Sequence, residues 1–277
     1  MLWSKKVLLN LMLVLGCVLT ACASNSPPED FEASRIWLMG EVHDNPQAHK
    51  ARYELIASKV KAGWRPALAM EQFDREHQGL LRTAQDECKA AQCITSRPWV
   101  EKWQWDLYEP LIQLALDNDL TLLAVNVSRR DANRIVQGGY QAALDPETIS
   151  QYLLNKPLPE LLEAEHRTNI VEGHCNMLPA SVVEKMIPAQ VARDVWMAKV
   201  LAQQAEQSDV ILIAGNGHVQ KHVGVIQWLP VKLKRITTAH GFIEDQQGGI
   251  GSEFDVVHRI PAFPREDPCK NFEAMMK

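Results

Sequence analysis

The sequence predicts an α/β protein: a mostly parallel central sheet flanked by helices, with a largely helical insertion in the middle of the chain. Three observations predict it. Short apolar runs alternate with segments of helical period, the order in which helical crossovers join parallel strands. Each apolar run stops at polar residues able to do chemistry, and a parallel sheet gathers such strand ends along one edge. The stretch from Asp145 to about Gln207 is mainly helical, broken near Pro157–Pro159 and at Pro179, where a ring without an N–H interrupts the ladder.

The elements follow in order. Met1 to Lys6 and the apolar run Val7 to Leu19 have the charged start and short hydrophobic stretch of a secretory signal over residues 1–21. Leu19-Thr20-Ala21-Cys22 resembles a bacterial lipobox, which implies a lipidated Cys22 whose acyl chains anchor a soluble domain to a bilayer. No Asp follows Cys22, which points to the outer membrane. Residues 22–33, rich in Pro, Ser and acid, read as a tether, leaving residues 34–277 as the folded domain. Arg35 to Met39 is the first strand, closed by Gly40. Asn45-Pro46 is an N-cap followed by Pro at the first helical position. Ala48, Ala51, Leu55, Ile56 and Val60 then recur at helical spacing. Pro66 to Met70 is the second strand, and a helix from about Pro98 to Asn118 carries Trp99, Trp103 and Trp105. Thr121 to Val125 and Asp209 to Ala214 are further strands, with Lys232 to Thr238 and Phe254 to Ile260 as the last two.

With 46% hydrophobic and 23% charged residues, the 277-residue chain is globular rather than disordered. A net charge of −5, or −7 once Lys5 and Lys6 leave with the signal, gives no electrostatic footprint for nucleic acid. Beyond Cys22 there are four cysteines, an even count that suits disulfides in an exported domain. Cys88 and Cys93 are close enough to close a small loop, and Cys175 with Cys269 would pin the C-terminal tail. Cys-x4-Cys lacks a second pair at metal-ligand spacing, so a structural zinc is not expected. Cys-x-x-Cys-His and Gly-x-Ser-x-Gly are both missing, against covalent haem and against an ordinary α/β-hydrolase.

The strand ends hold the chemistry. The first closes in Gly40-Glu41-Val42-His43, the second in Glu71-Gln72, the third in Asn126, and the fourth in Gly215-Asn216-Gly217-His218. Glu41, His43, Glu71, Asn126 and His218 are therefore expected to converge on one cleft. Glycine suits a tight exit from each strand, and the paired Gly-x-x-His turns would deliver two imidazoles. Taken singly, each His also reads as a capping or surface group. His49 and His77 read as helical surface residues. In the helical half, Gln190, Arg193, Asp194 and Met197 share one helix face. Arg193 calls for an acidic or ligand carboxylate partner.

Gly40-Glu41-Val42-His43-Asp44-Asn45, Ala69-Met70-Glu71, His174-Cys175, Gln190-x-x-Arg193-Asp194-x-x-Met197-Ala198 and Ala214-Gly215-Asn216-Gly217-His218-Val219 resemble, in this order, the ChaN family of iron-regulated haem-binding lipoproteins. That family is similar to the Tiki and TraB proteins, the Tiki members being metal-dependent peptidases. The resemblance implies a noncovalent haem cofactor held by residues 34–277, an outer-membrane role in haem or iron uptake beside a haem receptor, and a homodimer enclosing two stacked haems. It also implies an axial tyrosine. Tyr140 and Tyr108 are the candidates for it, with His174 and Met177 as further haem contacts and the Trp cluster as a stacking surface. The alternative is a hydrolase in which Glu41, His43 and His218 hold a divalent metal and Glu71 activates water.

Overall fold

The computed structural model describes residues 34–245, 250–267, 269 and 270. The expected signal, the lipidation site Cys22 and the tether lie outside the described residues. The sheet has six strands: β1 (Ile36–Met39), β2 (Ala67–Asp74), β3 (Leu122–Asn126), β4 (Val210–Ile213), β5 (Thr237–Glu244) and β6 (Val256–Ile260). Their order is β3-β2-β4-β1-β5-β6, and every pairing is parallel. The helices are α1 (Pro46–Lys61), α2 (Gln78–Glu87), α3 (Ala91–Thr95), α4 (Trp105–Asp117), α5 (Arg129–Gly138), α6 (Pro146–Gln151), α7 (Glu160–Gly173), α8 (Ala180–Gln204), α9 (Asn216–Val219) and α10 (Val231–Lys234).

Alternation along the strands assigns each residue to a face. Trp37, Met39, Leu68, Met70, Ile211 and Ile213 point into one core with α1, α2 and α4. Ile36, Leu38, Ala67, Ala69, Val210 and Leu212 point the other way, onto the second half of α8. Each fully buried Val, Leu, Ile or Met among them is worth roughly 1.5–3 kcal/mol. A third cluster, built on Val127, Ile135, Ile187, Val191 and Val195, holds the helical insertion together.

Several elements differ from the sequence reading. β2 runs on through Glu71 to Asp74, with an irregularity in its pairing to β3, so Glu71 lies within the strand and not beyond it. The Trp-rich helix begins only at Trp105; Trp99 and Trp103 sit on the preceding irregular segment. Val231–Lys234 is helical, started by Pro230 at its N-cap, and β5 starts at Thr237. The helical half divides at its prolines into α6, α7 and α8, while Pro188 is accommodated inside α8. Both disulfides form, Cys88–Cys93 and Cys175–Cys269. The second closes a loop of 94 residues, worth on the order of 4 kcal/mol in the chain-entropy picture.

Candidate functional site

The carboxyl end of β1 is organised by one buried carboxylate. Glu41 Oε1 accepts from Tyr108 Oη (2.6 Å), His43 Nδ1 (2.7 Å) and Gln72 Nε2 (3.0 Å). Its Oε2 accepts from Arg52 Nη1. Arg52 and Glu41 are both buried, so each charge depends on the other. Arg52 Nη2 also donates to His49 Nδ1 (2.9 Å), and His49 Nε2 donates to the His43 carbonyl (2.9 Å). His49 is thus a buried link, not the surface residue its helical position implied.

The two Gly-x-x-His turns interlock. A Cβ on Gly40 would lie 2.1 Å from Asn216 Oδ1, and one on Gly215 would lie 2.9 Å from His43 Nε2. Each glycine makes room for a residue of the other turn. This corrects the expectation of a tight exit, since neither glycine has a positive φ. Asn216 fastens the turn to β5, donating to the Phe242 carbonyl (2.7 Å), and its backbone N–H donates to the Glu41 carbonyl (3.1 Å).

Glu71 stands between the two imidazoles. Its Oε2 accepts from Gly215 N (2.8 Å), and its Oε1 lies 3.7 Å from His218 Nε2. His218 Nδ1 donates to Asp194 Oδ1 on α8 (2.6 Å). The His43 side chain is 44% exposed and that of His218 15%, so one faces the opening and the other lies deeper. Beyond His218 a cavity of about 160 Å³ is lined by His166, Asn169, Ile170, His174 and Asp194. His166 Nε2 is buried there without a hydrogen-bond partner. His174 Nδ1 bonds the Ile170 carbonyl (2.7 Å).

Charge follows from these contacts. Burial alone would neutralise Glu41, but Arg52, His43 and His49 overrule it and hold its pKa well below the usual carboxylate range. Burial disfavours a charged His43, yet the Glu41 hydrogen bond and the carboxylates of Glu71 and Glu41 raise its pKa to about 9. His218 is likewise raised against its burial by Asp194 and Glu71. Because the folded His43 value lies above 6.5, its pairing supports the fold fully below that pH and is lost as pH climbs through 9. His49 moves down to about 4 through burial and Arg52, so it stays neutral beside a cationic His43.

The other expected residues divide. Asn126 donates to Asp74 Oδ1 (3.0 Å), one strand out from the cleft. Arg193 meets Gln190 Oε1 (3.3 Å) and lends its charge to the field at His218. Met197 is core. Met177 is half-buried, its N–H donating to the His174 carbonyl (3.1 Å). Tyr108 is fully buried with its hydroxyl committed to Glu41, and burial and Glu41 drive its pKa upward; it is a support for the site, not the expected tyrosinate. Tyr140 packs half-buried against the third cluster, where burial and Glu163 also oppose ionisation of its phenol. Tyr53, passed over in the sequence, lines an open cavity of about 380 Å³ with Pro46, Leu107, Pro110 and Leu111. Trp103 flanks His43 at 5.1 Å between centroids, and Trp99 lies against His77. The metal triad of Glu41, His43 and His218 is not formed: both Glu41 oxygens are taken by protein donors. Among the described residues no three His, Cys, Asp or Glu side chains are gathered to hold a metal ion. The sequence reading underused Asp194 and Gln72 and missed Arg52 and His166.

A family described as haem-binding uptake, Tiki superfamily, ChaN, matches residues 29–229. The chain belongs to this ChaN family. Its fold is similar to that of ChaN of Campylobacter jejuni, solved with cofacial haem, at 19% identity and a TM-score of 0.63, over 81% of this chain and 87% of that one. An erythromycin esterase mutant in its open conformation overlaps at 14% identity and a TM-score of 0.46, over 81% of this chain and 75% of that one. No curated protein matches the sequence.

Haem binding, the property the ChaN family supplies, suits the residues at this rim. His43 has Nδ1 fixed by a carboxylate, the arrangement that orients an imidazole and leaves Nε2 for iron. An indole stands beside it, suited to the face of a large aromatic ring.

Proposed function

We propose that this ChaN-family protein binds haem noncovalently at the cleft rim, with His43 as the iron-facing residue. The observation that carries the reading is the exposed imidazole of His43, held at Nδ1 by Glu41 at 2.7 Å and walled by Trp103. Noncovalent binding is supported by the cysteines: all four among the described residues are paired in disulfides, leaving no thiol there for a thioether. The lipobox-like ending at Cys22 supports a lipid-anchored protein of the outer membrane that passes haem towards an uptake receptor, as a homodimer in the manner the family resemblance implies. A metal-dependent hydrolase is disfavoured, because Glu41 is committed to four protein donors and, among the described residues, no three His, Cys, Asp or Glu side chains are gathered for a metal.

A haem titration of the chain beginning at Ala23 tests this. A saturable shift of the Soret band is expected. His43 is largely protonated at neutral pH, and iron must displace the Nε2 proton. Affinity should therefore rise by up to about tenfold per pH unit from pH 7 and flatten above about pH 9. A band that never saturates rejects haem binding. Saturation with no pH trend moves the iron away from His43, and loss of the band in Tyr53→Phe alone would place it in the cavity between α1 and α4.

A further inference from the structure

Parallel strands give the sheet two unlike edges. The cleft lies at the carboxyl ends. The amino ends of β1, β4 and β5 meet at the opposite edge, where Ile36 is level with Val210 and Thr237. A groove of about 630 Å³ opens at this base, bounded by the end of α6, the end of α8 and α10. It is lined by three cations, Arg35, Lys199 and Lys232, and by one anion, Glu206. Two of the cations are already engaged. Arg35 meets Asp209 (2.8 Å), and Lys199 meets Asp145 (3.7 Å) and Thr148 Oγ1 (2.6 Å). Lys232 and its neighbour Arg235 are exposed, and their side chains have no hydrogen-bond or ion-pair partner among the described residues.

Apolar side chains stand out among these charges. Val231 is 69% exposed, and Leu153, next to Tyr152 of the groove wall, is 64% exposed. Val231 and Lys232 precede Arg235 by four and three positions, so the three share the outer face of α10, while Leu233 turns inward. Apolar tips beside unmatched cations suit the boundary of a bilayer. The tips enter between headgroups, and the cations meet lipid phosphates.

The chain also enters the fold here. Ser34 Oγ donates to the Ile236 carbonyl (2.9 Å), and the Arg35 N–H donates to the same oxygen (3.0 Å). Arg35 and Ile236 both line the groove. Cys22 precedes Ser34 by twelve residues, a reach of about 40 Å at most. An anchored domain therefore hangs from its base. The chain from Cys22 onward carries a net charge of −7, so an anionic surface repels the whole and draws only the patch where cations are unmatched.

We propose that the base, through Val231, Lys232 and Arg235 on α10 and Leu153 beside α6, rests on an anionic lipid bilayer. The cleft, at the far edge of the sheet, then faces away from the membrane. The contact rests on the lipid-anchored reading for its setting, not for its chemistry.

Flotation of the haem-free chain beginning at Ala23, which has no acyl chain, tests the contact. Vesicles of phosphatidylcholine with about one third phosphatidylglycerol should carry the protein at low salt, and carry less as salt screens the charges. Pure phosphatidylcholine should not. Each cation near such a surface is worth about fivefold in affinity, so Lys232→Gln with Arg235→Gln should weaken partition by about thirtyfold. Leu153→Ser with Val231→Ser should weaken it by about tenfold. On the anionic vesicles acetylation of Lys232 should slow, while that of Lys50, exposed at the cleft end of α1, should not. Lipidation is read separately, as palmitate incorporated into the full chain and lost in Cys22→Ser. Partition onto anionic vesicles without lipidation supports the base contact and sinks the anchor alone. No partition by the Ala23 chain, with the full chain lipidated, overturns the base contact and leaves the anchor standing. Partition unchanged in both double variants, or equal on neutral vesicles, also overturns it.

Discussion

Replacing Arg52 with Met should lower the free energy of unfolding by about 3–5 kcal/mol, the cost typical of stripping one partner from a buried ion pair. The guanidinium meets Glu41 Oε2 and His49 Nδ1 inside the protein. Its loss leaves a carboxylate whose other partners, Tyr108 and Gln72, are neutral. His43 is the one remaining cation and it faces solvent. Pairing Arg52→Met with Glu41→Gln should restore much of the loss, because the unpaired charge then disappears. Urea unfolding of the parent, single and double variants checks this. A loss below about 1 kcal/mol in the single variant would mean that the pair is solvated, contrary to its burial.

His43→Ala should weaken haem binding by at least about tenfold and up to about a hundredfold, the range over which metal affinity responds even to the groups behind a ligand. Its Soret maximum should also move, since the iron takes another ligand or water. Glu41→Gln separates ligation from positioning. The amide leaves the imidazole in place but removes the charge that sustains its proton, so the pH at which affinity levels off should drop. If His43→Ala binds as tightly as the parent with the same spectrum, the rim is not the iron site.

Much of the fold was legible because strand patterning is local. Val210 to Ile213 is apolar at every position, as a strand buried on both faces must be, and Asn45-Pro46 announces α1 by its own chemistry. Misreadings fell where local preference was overruled. Glu71 looked like a strand end because apolar residues stop at Met70, yet β2 continues since Glu71 and Gln72 find partners in Gly215 and Glu41. The two Gly-x-x-His turns could be paired from their spacing alone. Arg52 could not be assigned, since its role exists only once α1 packs under the end of β1. A cation three residues after His49 on the apolar face of a helix was the available signal. The tyrosines show the same limit: Tyr108 sits by Trp103 and Trp105 in the sequence, but its depth in the core, which forbids it an anionic role, is a property of the assembled sheet.

The mutual accommodation of Gly40 with Asn216 and of Gly215 with His43 ties together two segments some 175 positions apart. Alanine at either glycine would push against the opposite loop, so neither motif can drift, be transplanted or be rebuilt by itself. Any descendant or redesign of this scaffold must carry the pair as one inherited unit, and a relative that has lost one half has no reason to keep the other.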